Sequence, residues 1–359
     1  MLEKPAIIHV IDSLARGGAE TLLVDLLEDL SESYRVIIVT LYDACDFDKS
    51  KLVCEKRYCL QYKGFTSVPS CAFRLRKIIR QYNPLLVHAH LYTSSVVARI
   101  ATPKKTPLVF SIHTMLSIEN YNKKKLSLVA EKLTYRKHHH VISVSKQALA
   151  DFSQYVGLKG PSYILYNFIH PLYFQNSRLT SYVNGKELKM VAVGNLKESK
   201  NYAYLIEAFK GLKNFPVSLD IYGDGPLRAS LQQLIDEGGV NVTLKGSCRE
   251  IFRVLPQYDL YTMSSFYEGF PVAPLEAMAI GLPMLLSELP VLKESIGANA
   301  MYFNQNDPDS FIAAINLILS GKIDLQQFSA NGIELALKNY QRKDYVYRLK
   351  NVYAAVSAQ

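Results

Sequence analysis

Apolar and polar positions along the chain follow one pattern twice. Short apolar runs, of the kind that form strands buried on both faces, occur at Ala6 to Ile11, Tyr34 to Leu41, Leu85 to His90, Pro107 to His113, Val141 to Ser145 and Tyr163 to Tyr166. Between them lie segments that read as helices: Ala19 to Leu30, Phe73 to Tyr82, Thr93 to Ile100, Asn120 to Lys137 and Lys146 to Phe152. Residues 43–62 are polar and irregular. Residues 168–187 read as a polar linker with Pro171, Asn176, Asn184 and Gly185. The alternation then restarts. Strands are predicted at Leu188 to Val193, Val217 to Tyr222, Val240 to Leu244 and from Leu260 to Met263. Helices are predicted at Asn201 to Leu212, from Leu227, at Glu250 to Pro256, from Ala273, at Asp309 to Leu319, and from Leu325 to Ser357 with a break near Gly332. Two rounds of strand and helix argue for two α/β domains, 1–167 and 168–340, followed by a last helix, 341–359.

A chain of 359 residues is too long for one ordinary core, which agrees with that division. The charge is uneven. Residues 1–170 hold 23 Lys and Arg against 14 Asp and Glu, 23 − 14 = +9, and residues 171–359 hold 18 of each, 18 − 18 = 0. The first half therefore either meets an anionic partner or carries a solvated basic surface. Nucleic acid is set aside, because no recognised module or basic-aromatic platform is present. Five cysteines, an odd number with no CxxC pair, suit a reducing compartment. No signal peptide is read at the start, and no apolar run is long enough for a membrane span. The expectation is a cytoplasmic protein, with attachment to the inner face of the membrane left open.

Candidate chemistry concentrates in Phe266 to Pro283, FYEGFPVAPLEAMAIGLP. Glu268 lies in a turn punctuated by Gly269 and Pro271, and Glu276 lies about one turn inside the helix that Gly281 and Pro283 terminate. The exposed N–H groups of such a helix start favour a phosphate or a sugar hydroxyl. Two carboxylates beside them suit a ligand rich in hydroxyls, and a nucleotide-sugar offers both. Upstream, Gly17 and Gly18 follow the first strand as either a tight turn or a close approach to a ligand. His113 stands at the carboxyl end of a strand, the edge where α/β sheets bind ligands. Asp46-Phe-Asp48 lacks any strand end to frame a metal site. The triplet His138 to His140 reads as a surface run after a helix, since contiguous side chains diverge. Lys123, Lys124 and Lys125 read as solvated or as resting on anionic lipid.

EGFP followed by LEAMAxGxP resembles the paired-glutamate signature of glycosyltransferase family 4, retaining enzymes with two Rossmann-like domains facing each other across a cleft (the GT-B fold). The resemblance runs from the GGAE loop at Gly17 and Gly18 to Glu294. It implies a nucleotide-diphospho-sugar donor held by the second domain. The acceptor, a glycan or a lipid-linked saccharide of cell-surface polysaccharide assembly, falls to the first. No metal and no cofactor are implied. Lys200 in the run VGNLKESKN would bind the donor phosphates, and Glu276 the ribose. Glu268 with the amides of Gly269 and Phe270 would hold sugar hydroxyls, Pro271 and Leu275 completing that donor segment. Gly223 of GDGPLR would lie beside the base, and His113 near the transferred sugar. The final helix would return to the first domain. Asn195 departs from the pattern, because the family usually places an arginine there. A neutral amide lacks that fork of five donors. The departure leaves open a degenerate relative that binds a partner instead of turning over. A nicotinamide oxidoreductase would need the GxGxxG fingerprint, which is absent.

Overall fold

A computed structural model describes residues 4–122, 125–183 and 185–358. Lys123, Lys124 and Asn184, named above, lie outside the described residues. The chain forms two compact units. One contains the residues up to Asn167 together with those from Lys343 onward, and the other spans Phe168–Arg342.

The first unit is built on seven strands: β1 (Ala6–Ile11), β2 (Arg35–Thr40), β3 (Lys56–Cys59), β4 (Leu86–His90), β5 (Leu108–Ile112), β6 (His139–Ser143) and β7 (Ser162–Ile164). Their order is β3-β2-β1-β4-β5-β6-β7, every pair parallel. The second unit has six: β8 (Leu188–Val193), β9 (Val217–Tyr222), β10 (Val242–Gly246), β11 (Leu260–Met263), β12 (Met284–Ser287) and β13 (Met301–Phe303). They are again all parallel, in the order β10-β9-β8-β11-β12-β13. Both sheets place their first strand in the middle and wind outward in both directions, the Rossmann order. Strands such as AIIHVI are buried throughout because helices cover both faces. This order creates one switch point per unit, between β1 and β4 and between β8 and β11, and ligands of such sheets gather there at the carboxyl ends.

Several expectations are corrected. β3 lies inside the segment read as irregular, because an edge strand of sequence KRYC needs no apolar run. β12 and β13 were not foreseen, although β12, MLLS, is apolar and buried throughout. The helix expected over Asn120 to Lys137 is a π-helical turn, Ser117–Tyr121, and then a helix, Lys125–Thr134. His139 and His140 are not on the surface: they open β6 and are buried, and His139 Nδ1 accepts the N–H of Arg136 at 3.2 Å. The presumed linker contains a short helix, Pro171–Gln175, and is pinned where the Arg178 N–H donates to the Ile280 carbonyl at 2.8 Å. The late helix breaks not at Gly332 but between Leu325–Asn339 and Arg342–Ser357. Gly332 stays helical because its bare face meets Met278, whose Cγ would lie 3.0 Å from an added Cβ.

Beneath β1 and β4 lies a cluster of imidazoles. His9, His88 and His90 are buried, and the His88 Nδ1 lies 2.7 Å from the hydroxyl of Tyr353 on the helix Arg342–Ser357. Burial lowers the pKa of His9 to about 3, of His113 to about 4 and of His139 to about 3, and holds His88 and His90 well below their usual range. These rings are neutral in the fold and titrate near pH 6.5 once the chain opens. Between those values the unfolded chain binds the extra protons, so this contribution to stability is complete above about pH 6.5 and is lost as pH falls below it. Burial raises the carboxyls of Asp12, Glu20 and Glu131, which acts in the opposite sense, but the histidines outnumber them. Urea unfolding at pH 7.5, 6.5 and 5.5 should show a midpoint that drops steeply over the last interval. A midpoint independent of pH across that range would contradict the buried neutral cluster.

Candidate functional site

In the second unit the switch point is built by close backbone contact. β8 runs into Gly194 and β9 into Gly223. A Cβ on Gly223 would stand 2.0 Å from the Gly194 carbonyl oxygen, and one on Gly225 would stand 2.6 Å from that of Leu196. The N–H of Gly194 donates to the Tyr222 carbonyl at 2.9 Å and that of Leu196 to the Asp224 carbonyl at 3.0 Å. The two strand-end loops therefore lie directly on one another, an approach only glycine permits. Asn195 and Lys197 are exposed on this loop. The Lys200 stem crosses Gly194, its Cε 3.1 Å from where a Cβ would be.

The loop after β11 is stitched to the same place. Ser264 Oγ donates to the carbonyls of Lys200 and Asn201, both at 2.9 Å, and the Phe266 N–H to that of Ser199 at 2.9 Å. This brings Lys200 Nζ to 2.6 Å from Glu268 Oε1, which also accepts from Ser265 Oγ at 2.7 Å. The two charged side chains are only 17% and 14% exposed, so their pairing is sheltered but still reachable. An ammonium has three donors, which leaves capacity for an incoming anion. Glu268 sits four residues before the helix Val272–Ile280, which carries the half-buried Glu276. Phe270, Pro271 and Leu275 are buried, Phe270 with its ring 6.2 Å from that of Tyr340. Burial, and then the charge of Glu268, raise the phenol pKa of Tyr202. At Tyr261 burial acts first, followed by Tyr202, Glu268 and Glu276. Both glutamates thus lie near one buried phenol. The arrangement offers one cation, two carboxylates and the start of a helix, a surface suited to an anion joined to hydroxyl groups.

Gly17, Gly18 and His113 belong to the first unit, on the carboxyl edge of its sheet. The Arg16 N–H donates to Asp46 Oδ2 at 2.9 Å, so Asp46 braces the glycine loop. Gly18 opens the helix Gly18–Ser31, and an added Cβ there would meet nothing within 4 Å. His113 follows β5, its Nε2 3.3 Å from His90 Nδ1, and His90 Nε2 lies 3.0 Å from His9 Nδ1. His9 Nε2 is buried without a partner. With its hydrogen on Nδ1, His9 would give that buried N–H an acceptor in His90. The chain of donations then runs His9 to His90 to His113. Burial keeps His113 neutral, and in that arrangement its Nδ1–H would be its remaining donor. His113 also lines a cavity of about 180 Å³ with Asp12, Leu91, Thr93 and Asn120. Leu91 has φ 68° directly after β4, a strained backbone at the switch point of this unit. Asp12 accepts from the N–H of Ser94 at 3.0 Å and from its hydroxyl.

Sequence reading missed Ser265, Tyr202, Tyr261, Asp12 and His90 around these sites. The Ser264-Ser265 pair at a strand's carboxyl end was the available signal. Tyr202, Tyr261 and His90 lie inside runs that predict a helix or a strand, and nothing local sets them apart.

Two family profiles match the chain: "Glycosyltransferase Family 4" over residues 16–171 and "Glycosyl transferases group 1" over residues 175–335. Among curated proteins, a putative glycosyltransferase EpsF of Bacillus subtilis is 25% identical over 79% of this chain and 79% of its own. A Campylobacter jejuni N-acetylgalactosaminyltransferase, whose name specifies a diphospho-undecaprenol-linked acceptor, is 26% identical over 77% of this chain and 79% of its own. Among solved structures, Anabaena HepE in complex with UDP and glucose superposes with a TM-score of 0.82 at 17% identity, covering 98% of this chain and 100% of that one. Sucrose-phosphate synthase from Thermosynechococcus elongatus gives 0.82 at 16%, covering 98% and 99%. These two likenesses show the fold.

The glycine contacts lead to paired expectations. Gly223→Ala should cost about 1–3 kcal/mol by overpacking, read by urea unfolding, whereas Gly18→Ala should stay within about 0.5 kcal/mol of the parent. Equal stability of the two variants would show that the strand-end loops are not apposed as described.

Proposed function

We propose, for a chain that belongs to glycosyltransferase family 4, that it moves a sugar from a nucleotide-diphospho-sugar to a glycan or lipid-linked acceptor with retention of configuration and without a metal. The observation that carries this reading is the Lys200–Glu268–Ser265 cluster, set at the switch point just before the helix that bears Glu276. The donor's diphosphate would take up the spare N–H groups of Lys200 and the amides at the start of Val272–Ile280. As the bond to the sugar breaks, negative charge grows on the leaving phosphate, and groups already fixed there stabilise it without reorganising. Lys200 and the helix start supply that positive charge, so the reading calls for no metal. Glu268, held by Lys200 and Ser265 through one oxygen, keeps its other oxygen for a sugar hydroxyl, with the amides of Gly269 and Phe270 beside it. Glu276 would accept from the ribose. The Nδ1–H of neutral His113 would donate to a hydroxyl of the transferred sugar. Glu268 is assigned to positioning and electrostatics. Attack from the face of the leaving phosphate then accounts for retention.

For the donor base and the acceptor, the support comes from the similar proteins. The Anabaena neighbour holds UDP, which makes a uridine nucleotide the first donor to test. The Campylobacter relative, named for a lipid-linked acceptor, favours an acceptor of that chemistry. The basic first half would then meet it at an anionic membrane face. No described helix is long and apolar enough to cross a membrane.

A thermal-shift screen against UDP, GDP, ADP, CMP and their sugars, with and without chelator, tests the donor site. A ligand at a hundred times its dissociation constant adds about 2.7 kcal/mol. One nucleotide should raise the melting temperature, and chelator should not alter the shift. Silence from every nucleotide would remove the transferase reading and favour a binding subunit, the outcome that Asn195 invites. Glu276→Ala should weaken nucleotide binding about 10- to 100-fold, the loss of a hydrogen bond to a charged group. Calorimetry showing unchanged affinity would take Glu276 off the ribose.

A further inference from the structure

We infer that the outward arc of the helix Lys125–Thr134 inserts into an anionic phospholipid bilayer. This inference rests on the membrane part of the preceding reading and adds to it a specific apolar element. At 100° per residue, Lys132, Lys125, Val129, Leu133 and Leu126 fall in succession on one side of this helix. All five are exposed, and Leu126 at 59%, Val129 at 49% and Leu133 at 64% show far more surface than apolar side chains usually do within a folded unit. Ser127, Ala130 and Glu131 take the inward side.

The placement of charge selects the occupant. The helix has one acidic residue, Glu131, and it is turned inward and fully buried in an ion pair with Arg99, 2.5 Å away. The outward arc therefore shows leucine, valine and lysine, with no carboxylate or amide that a protein partner would pair with. Arg136 and Lys137, also exposed, continue the basic edge beyond the last turn. The apolar surface also continues sideways. Leu126 lines a cavity of about 370 Å³ with Tyr42, Tyr62, Val68 and Phe65, and Phe65 is itself 54% exposed and two residues from the exposed Lys63. Apolar side chains edged by lysines match the boundary between acyl chains and anionic headgroups. Lysine stems lie along the acyl region there while the ammonium groups reach phosphate.

The chain contains no tryptophan, so a single introduced indole reports without background. The full chain carrying Leu133→Trp is mixed with vesicles of phosphatidylglycerol and phosphatidylcholine, and with vesicles of phosphatidylcholine alone. Emission should move to the blue with the anionic vesicles. Leu337→Trp, at a 44% exposed position of the second unit, should not move. The triple change Leu126→Ser, Val129→Ser and Leu133→Ser should lower co-sedimentation with anionic vesicles about tenfold, with the melting temperature kept. Lys125→Glu with Lys132→Glu should lower it as well. Co-sedimentation of Leu133→Trp without a blue shift would overturn insertion and leave attachment by charge alone. No co-sedimentation of the parent chain would overturn both membrane statements, while the nucleotide screen still reports on the transferase reading. A blue shift that grows with protein concentration in the absence of vesicles would assign the arc to a second copy of the chain and overturn the proposal.

Discussion

The candidate site of the second unit depends on one backbone contact, the meeting of Gly223 with the Gly194 carbonyl at the ends of β9 and β8. Because no side chain separates the two loops, the loop Gly194–Leu196 is held by hydrogen bonds to Tyr222 and Asp224. The stem of Lys200 lies across it. Ser264 and Phe266 then tie the loop after β11 to the segment 199–201. The position of the Lys200–Glu268 pair is thus the sum of three strand ends brought to one edge by parallel pairing. A pair of this kind says little about stability, because removing two charges from water offsets most of their attraction. It says more about readiness: one charge of each sign stands in a sheltered place with hydrogen-bonding capacity unspent.

The first unit handles polarity differently. Its β1 and β4 bury three imidazoles where aliphatic side chains would be expected, and burial keeps them neutral. Neutral imidazoles each have one donor and one acceptor, so a row of them has a direction. The row ends at His113, on the edge of the sheet where its switch point lies. The Arg99–Glu131 pair buries its charges in the same unit, and that arrangement is why the helix Lys125–Thr134 has no acid on its outward side.

Much of this was legible in the chain. Most of the parallel strands carry enough apolar residues to be read locally, so ten of the strands and the two-domain division were readable. Glu268, Glu276 and Lys200 stand out because turn and helix signals surround them. β3 and β13 escaped notice because they are short edge strands, and β3, KRYC, has little apolar content to show; β12, MLLS, is an apolar buried run that was overlooked directly after the helix stop at Gly281 and Pro283. His139 and His140 were misplaced because a histidine run has no periodicity, and only the parallel partners β5 and β7 draw it into a sheet. Gly332 was misread because its reason lies across space at Met278.

The sequence by itself determined the local elements, the two rounds of α/β alternation and the family, since each of these is written in residues close together along the chain. Tertiary structure alone decided the strand order, the apposition of Gly194 and Gly223, the partner of Glu268 and the line from His9 to His113. The physical reason is distance along the chain. Lys200 and Glu268 are 68 residues apart, and His9 and His90 are 81. No local preference encodes such a meeting; it follows from which strand ends the two sheets bring to a common edge.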